Sequence, residues 1–188
     1  VRRLTARARA PSAFITHCPP YLKGMAAPVA PSGVAAENFQ PLPLALPQHA
    51  IELPLPGLNL TLQPGDEHGV FQRSYEDTET LLALHRFAWI PLCGTKEAPN
   101  WAQALWNVWR RDFGEPDDGW AWHPYTAAER AINMLDLAEA YGLPEPVDDT
   151  LEVLARHAEA IFRRLEYFGD HDTSNHLSNN GRGLYRLG

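Results

Sequence analysis

The chain has 188 residues, 45% of them hydrophobic and 21% charged, with a formal net charge of −7. That balance belongs to a globular protein with one domain-sized core, and it excludes a disordered or fibrous chain. The acidic charge argues against a nucleic-acid binder, which needs a concentrated basic surface, and no apolar run of about 18 residues is present to span a membrane.

Residues 1 to about 70 are crowded with proline, including Pro19, Pro20, Pro41, Pro43, Pro47, Pro54 and Pro56. Each proline fixes its own φ and removes a backbone donor, so long helices are not expected there. The region reads as an extended arm wrapping a helical body. Ile51 to Leu55 carries a proline and is at best an edge strand. No signal segment is visible in the sequence, so localisation is not read from it. Cys18 and Cys93 stand outside any CxxC spacing, which leaves two inert thiols or a single bridge between them.

From Ser74 onward the pattern is helical. A first helix is expected over Ser74 to about Ile90, with Leu81, Leu84, His85 and Ala88 on one face and Pro91 and Gly94 ending it. A second, about Asn100 to Phe113, carries Trp101, Leu105, Val108 and Trp109 on one stripe and stops at Gly114. Trp101, Trp106 and Trp109 cover most of its circumference, as in a helix lying between neighbours. A third is expected to start at a capping box, Thr126 to Glu129, and to end at Gly142 and Pro144. A fourth runs from about Asp149 to Phe168, with Gly169 as its stop, and a fifth starts near Ser174, capped by Ser174 or Thr173. Helices of this length with short loops predict stacked antiparallel hairpins. The final residues, Gly183 to Gly188, read as an unfinished helix, so a C-terminal truncation is expected.

Three places bear groups that can do chemistry. The polar stretch Asp170 to Asn180 puts Asn175 and His176 in the first turn of a helix, where backbone N–H groups and the positive dipole end favour a bound carboxylate. Asn179 lies four residues on and shares that face. An ordinary Asx-rich helix start is the plainer reading, and a zinc site using His171 and His176 is the weakest, since the spacing matches no helical ligand pair. The second place is Trp120 to Tyr125, where aromatic rings either fill core or stack on sugar rings. Spacing favours core for Trp120 and Trp122 and leaves His123 and Tyr125 more open. The third, Arg130 with Asn133, reads as a structural network near Glu129 and Asp136. No phosphate-cradling loop, nucleophile elbow or well-placed carboxylate pair is present, which counts against kinases, serine hydrolases and two-carboxylate glycosidases.

The segment Trp122-His123-Pro124-Tyr125 with Arg130 and Asn133, followed one hairpin later by Asn175-His176 and Asn179, resembles the W-x-P-Y…R-x-x-N and N-H-x-x-x-N segments of the heparinase II/III-like family. The resemblance covers about residues 70 to 188. It implies an all-α fold, an incomplete (α/α) toroid of antiparallel helical hairpins over residues 71–188, preceded by the Pro-rich arm of residues 1–70. It implies β-elimination on a uronate-containing acidic polysaccharide, with no cofactor and no metal, in the periplasm or cell envelope. Carried over by position, Asn175 neutralises the uronate carboxylate and His176 acts as catalytic base or acid. Trp122, His123, Tyr125 and Asn179 bind substrate, Asn179 either from behind the contacting residues or at a subsite. The family's catalytic Tyr and second His lie further along its chains, so the 188 residues alone are expected to be inactive. A non-catalytic glycan-binding or envelope-polysaccharide assembly factor on the same scaffold is the alternative.

Overall fold

The computed structural model describes residues 18–27, 39–43, 45–170 and 174–188. The described chain is mostly helical, with one small two-stranded sheet. The elements are β1 (Ile51–Leu55), β2 (Leu58–Leu62), α1 (Thr78–His85), α2 (Ala98–Phe113), α3 (Pro124–Tyr141), α4 (Val147–Arg163) and α5 (Asn175–Leu187). The helical expectation holds for the body of the chain, and the hairpin, at the place where an edge strand at best was expected, is the departure from an all-α fold. Its turn is a Pro56-Gly57 pair, in which proline presets φ and Gly57 takes a φ of 71°. Both strands of a two-stranded sheet are edges, so Pro54 is tolerated opposite Asn59. The alternating residues Ile51, Leu53, Leu55, Leu60 and Leu62 point into the same core as the helices, which anchors this part of the arm.

α1 is much shorter than its apolar pattern predicts. Asp77, not Ser74, caps it by accepting from the Glu79 backbone N–H at 3.0 Å. It ends at His85 because Phe87, fully buried, holds a left-handed φ of 55° that no helix can contain. The apolar period beyond that point, Phe87 to Trp89, belongs to a buried loop.

α2 lies between neighbours, and its three tryptophans show how. The Trp101 indole N–H donates to the His49 carbonyl of the arm (2.9 Å), that of Trp106 to Thr150 Oγ1 in α4 (2.8 Å), and that of Trp109 to His85 Nδ1 in α1 (3.0 Å). Each ring thereby buries its apolar body and satisfies its polar tip, which is what lets these three tryptophans sit fully buried. Gln103 adds a two-way bond to the Glu145 backbone, at 2.8 Å in each direction, and fixes the α3–α4 loop on α2.

α3 is the central helix, packed against α1, α4 and α5. The predicted capping box is overturned. Pro124 opens the helix two residues earlier, its fixed φ suited to the first turn, and Thr126 is buried inside it. α4 likewise ends at Arg163 rather than Phe168, since Leu165 to Tyr167 continue as an extended, buried segment. α3 and α5 approach so closely that a Cβ on Gly183 would stand 2.7 Å from the Ala128 Cβ.

Gly142 ends α3 at a φ of 110° and receives the arm, as Leu42 N–H donates to the Leu143 carbonyl and Leu143 N–H to the Gln40 carbonyl, both at 2.8 Å. A Cβ on Gly142 would lie 2.8 Å from the backbone of Pro41 and Leu42. Gly142→Ala therefore meets both a disfavoured φ and backbone that has nowhere to go, and is expected to lower stability by about 2 kcal/mol or more. Urea denaturation checks the loss, and a protease cutting the arm near residue 42 faster in the variant locates it.

Candidate functional site

Two helix starts and one extended segment meet at a single place on the surface. α5 begins where Ser174 Oγ accepts from the His176 backbone N–H at 3.2 Å, leaving Asn175 exposed at its first position. The alternative cap Thr173 and the second histidine of the zinc reading, His171, lie outside the described residues. Among the described residues no cluster of three His, Cys, Asp or Glu side chains is arranged to hold a metal ion, and both cysteines are free thiols.

The start of α3 supplies His123 and Tyr125. The Tyr125 ring lies 4.7 Å from the His176 ring, centroid to centroid, and the His123 ring meets His176 edge-on at 6.3 Å. Between them the segment after α4 delivers Glu166, only 4% exposed. Its Oε1 is 2.7 Å from His176 Nδ1 and 3.5 Å from His123 Nε2. Its Oε2 accepts from Asn180 Nδ2 at 3.1 Å, and its backbone N–H donates to Asn180 Oδ1 at 3.0 Å. A buried carboxylate needs partners of this kind, and here they also fix its direction. When Glu166 accepts from His176 Nδ1–H, the imidazole is held in the tautomer whose Nε2 carries a lone pair, and that is the nitrogen free to take a proton.

Two arginines border the cluster. Arg86, at the end of α1, lays its guanidinium 4.7 Å from the Tyr125 ring centroid and pairs with Glu79 at 3.1 Å. Arg164, just past α4, donates to the Trp122 carbonyl and pairs with Asp118 at 3.4 Å. Burial pushes the His123 imidazole below its usual range. Glu166 pulls it the other way, and the charges of His176, Arg164 and Arg86 lower it further.

The six residues expected from the sequence divide. Asn175, His176, His123 and Tyr125 come together at this place. Trp122 does not line it. Its side chain is fully buried, donates to the Phe113 carbonyl at 2.6 Å and packs 4.5 Å from the His157 ring, so the expectation that it binds substrate is corrected to a core role. Asn179, expected either behind the substrate-contacting residues or at a subsite, is buried at 5% exposure, and its Nδ2 supports the Tyr125 carbonyl at 3.3 Å, which fits the first of these roles.

Arg130 and Asn133 are structural, though not through the expected carboxylates. Glu129 faces Arg182 and Asp136 faces Arg186. Arg130 instead donates to His157 Nε2 (2.8 Å) and to the His85 and Ala121 carbonyls (2.9 and 2.8 Å), under the Trp109 ring at 3.8 Å. Asn133 Nδ2 donates to the Arg86 carbonyl at 2.9 Å and so helps hold Arg86 in place.

Sequence reasoning missed Glu166, Asn180, Arg86 and Arg164. Glu166 and Arg86 both fall inside helices that were expected to run longer, where a charge reads as solvated. The Asn179-Asn180 pair was a usable signal, since two adjacent amides one turn into a helix can buttress something only if they are buried.

Two other clefts indent the surface, one around Arg110, Gly114 and Arg156 and one between Tyr141 and Tyr185. In the first, Arg110 and Arg156 are already engaged by Asp149, Glu115 and Glu152. Neither cleft includes the His176 cluster. Among the described residues no helix is long and apolar enough to cross a membrane. Set against known protein families, curated proteins and solved structures, the chain matches none of them.

Proposed function

We propose that this chain forms the helical, carboxylate-holding part of a polysaccharide lyase that cleaves a uronate-containing glycan by β-elimination, its hairpins belonging to an (α/α) toroid. The observation that carries the reading is the His176–Glu166 contact of 2.7 Å beside the exposed Asn175 and the partly open Tyr125. A histidine fixed by a buried carboxylate, half open to solvent at a helix N-terminus, is a proton carrier set next to an anion-binding position.

The chemistry follows from that arrangement. The uronate carboxylate sits against the first turn of α5, where the Asn175 amide and the helix N-terminus are neutral or partly positive donors. They stabilise the extra charge that develops on the carboxylate as the C5 proton leaves. His176 Nε2 takes that proton. The C5–H electron pair becomes the C4=C5 double bond, and the C4–O4 pair departs with the leaving oxygen, which receives a proton. In a syn elimination the imidazolium, stabilised by Glu166, returns its own proton to O4. In an anti elimination a second group supplies it. No water is consumed, and an unsaturated uronyl end remains.

The test is absorbance of the unsaturated uronyl product when the intact protein is offered alginate, polyglucuronate and glycosaminoglycan chains. His176→Ala is expected to lower the rate by about a hundredfold or more, the usual contribution of a positioned acid–base group. Glu166→Gln, which keeps the shape but loses the tautomer control, is expected to lose about ten- to a hundredfold. An unchanged rate in His176→Ala removes His176 from the mechanism. Binding of the same polymers with no product at any pH supports a glycan-binding factor instead.

A further inference from the structure

Arg86 is a cation with an unusual set of neighbours. Its side chain is only 15% exposed, and its Nε is buried with no acceptor among the described residues. The one carboxylate it pairs with among the described residues, Glu79, is itself 58% exposed. An ion pair with one partner that open is weak and exchanges readily for another anion. Meanwhile three features fix where the guanidinium points. The Arg86 carbonyl is held by Asn133 at 2.9 Å. The next residue, Phe87, is locked in the left-handed region and buried, which sets the direction in which the chain leaves α1. The guanidinium itself rests on the Tyr125 ring, whose other close neighbour is His176 at the same centroid distance of 4.7 Å. Arg86 and the candidate catalytic histidine thus pack against the same aromatic ring.

Resting on the reading above, we infer that Arg86 is a specificity-determining residue: it binds an acidic group on the sugar adjoining the uronate held at Asn175, and that group takes the place of Glu79 on the guanidinium. The substrate class is narrowed accordingly. It is a glycan carrying negative charge on neighbouring residues, rather than one with an isolated uronate between neutral sugars. A planar guanidinium suits this task, because it presents paired donors to a carboxylate or sulfate while it stays stacked on the Tyr125 ring. In a chain of net acidic charge, a fixed cation at this place offsets the repulsion that a polyanion meets.

The experiment measures kcat and KM of the intact protein on an oligouronate and on the same oligomer with the adjoining carboxyl reduced to an alcohol. For the oligouronate, Arg86→Gln is expected to raise KM about tenfold with kcat within twofold of wild type. On the reduced oligomer, wild type and Arg86→Gln should have the same KM. Glu79→Gln, which frees Arg86 from its exposed partner and touches nothing in the core, should lower KM for the oligouronate about threefold and so tests the idea even if Arg86→Gln fails to fold. The inference is overturned if Arg86→Gln loses kcat with KM unchanged, if both oligomers respond alike, or if Glu79→Gln leaves KM unmoved. A wild-type protein that acts on no oligouronate overturns the lyase reading, and this inference with it. A wild-type protein that cuts both oligomers with equal KM sinks only the role of Arg86.

Discussion

Replacing Arg130 by Met should cost roughly 3–5 kcal/mol of folding stability, the range seen when one member of a buried charged network is removed. The guanidinium is fully buried and joins three pieces of chain: the last carbonyl of α1 (His85), the turn before α3 (Ala121) and the His157 ring of α4. Deleting it leaves two carbonyls and an imidazole nitrogen buried without partners, at about 1–3 kcal/mol each. Against this stands the relief of burying a guanidinium that has no direct carboxylate partner, and burial does hold this group far below its ordinary range of basicity. The balance favours destabilisation, because the planar group also fills the space beneath Trp109 and beside Trp122, and a thioether cannot reproduce its stacking.

The comparison with Arg130→Lys decides what the network depends on. If fork geometry matters, Lys should lose nearly as much as Met, because one ammonium cannot reach His157 and two carbonyls from the same stem. If charge alone matters, Lys should recover most of the loss. Urea denaturation of the three proteins at pH 7.5 gives the numbers, and a Met variant within 1 kcal/mol of wild type sinks the account.

Much of the helical body was legible in the sequence, for definite reasons. Gly114 and Gly142 mark true helix ends, the Trp101–Trp109 stripe is buried as spaced, and Ser174 caps α5 as its chemistry dictates. The errors have one physical source. Phe87, Trp89, Leu165 and Tyr167 extend apolar patterns past real helix ends because loops here are buried too, and periodicity registers burial rather than hydrogen bonding. The same cause hid half of the candidate site. Asn175, His176, His123 and Tyr125 stand out as polar residues at helix starts. Glu166 sits in an extended segment that looked like the end of a helix, and only its pairing with Asn180 across 14 residues reveals why it is buried. Trp122 is core, as its spacing favours, and its indole bond to Phe113 excludes only the surface role that the family resemblance implies.

Mild acid should weaken this fold through two buried histidines. His85 and His157 are both buried, and hydrogen bonds fix both as neutral tautomers. His85 Nδ1 accepts from the Trp109 indole, and His157 Nε2 accepts from Arg130 while its Nδ1 faces the Val153 carbonyl at 2.7 Å. Charging either ring breaks the bond it accepts and sets a second cation against Arg130. Burial, then the Arg130 charge, lowers His85 to about 3; the same two causes hold His157 well below its usual range, with the Val153 carbonyl opposing them. The unfolded chain titrates these rings near 6.5, so below that pH it binds protons that the folded chain refuses. Stability therefore falls as pH drops, by about 1.4 kcal/mol per unit for each histidine, until His85 itself can protonate near pH 3. By pH 5 the two together remove about 4 kcal/mol, a large share of the roughly 5–15 kcal/mol typical of a domain. His123, lowered in the same direction but partly exposed, adds to the fall. Urea denaturation in steps between pH 7 and pH 5 should show the midpoint dropping with an uptake approaching two to three protons on unfolding. His157→Gln, whose amide can still accept from Arg130, should reduce that uptake by about one. A midpoint flat across this window means that these rings are charged or solvated in the folded protein, and the buried network is then not as described.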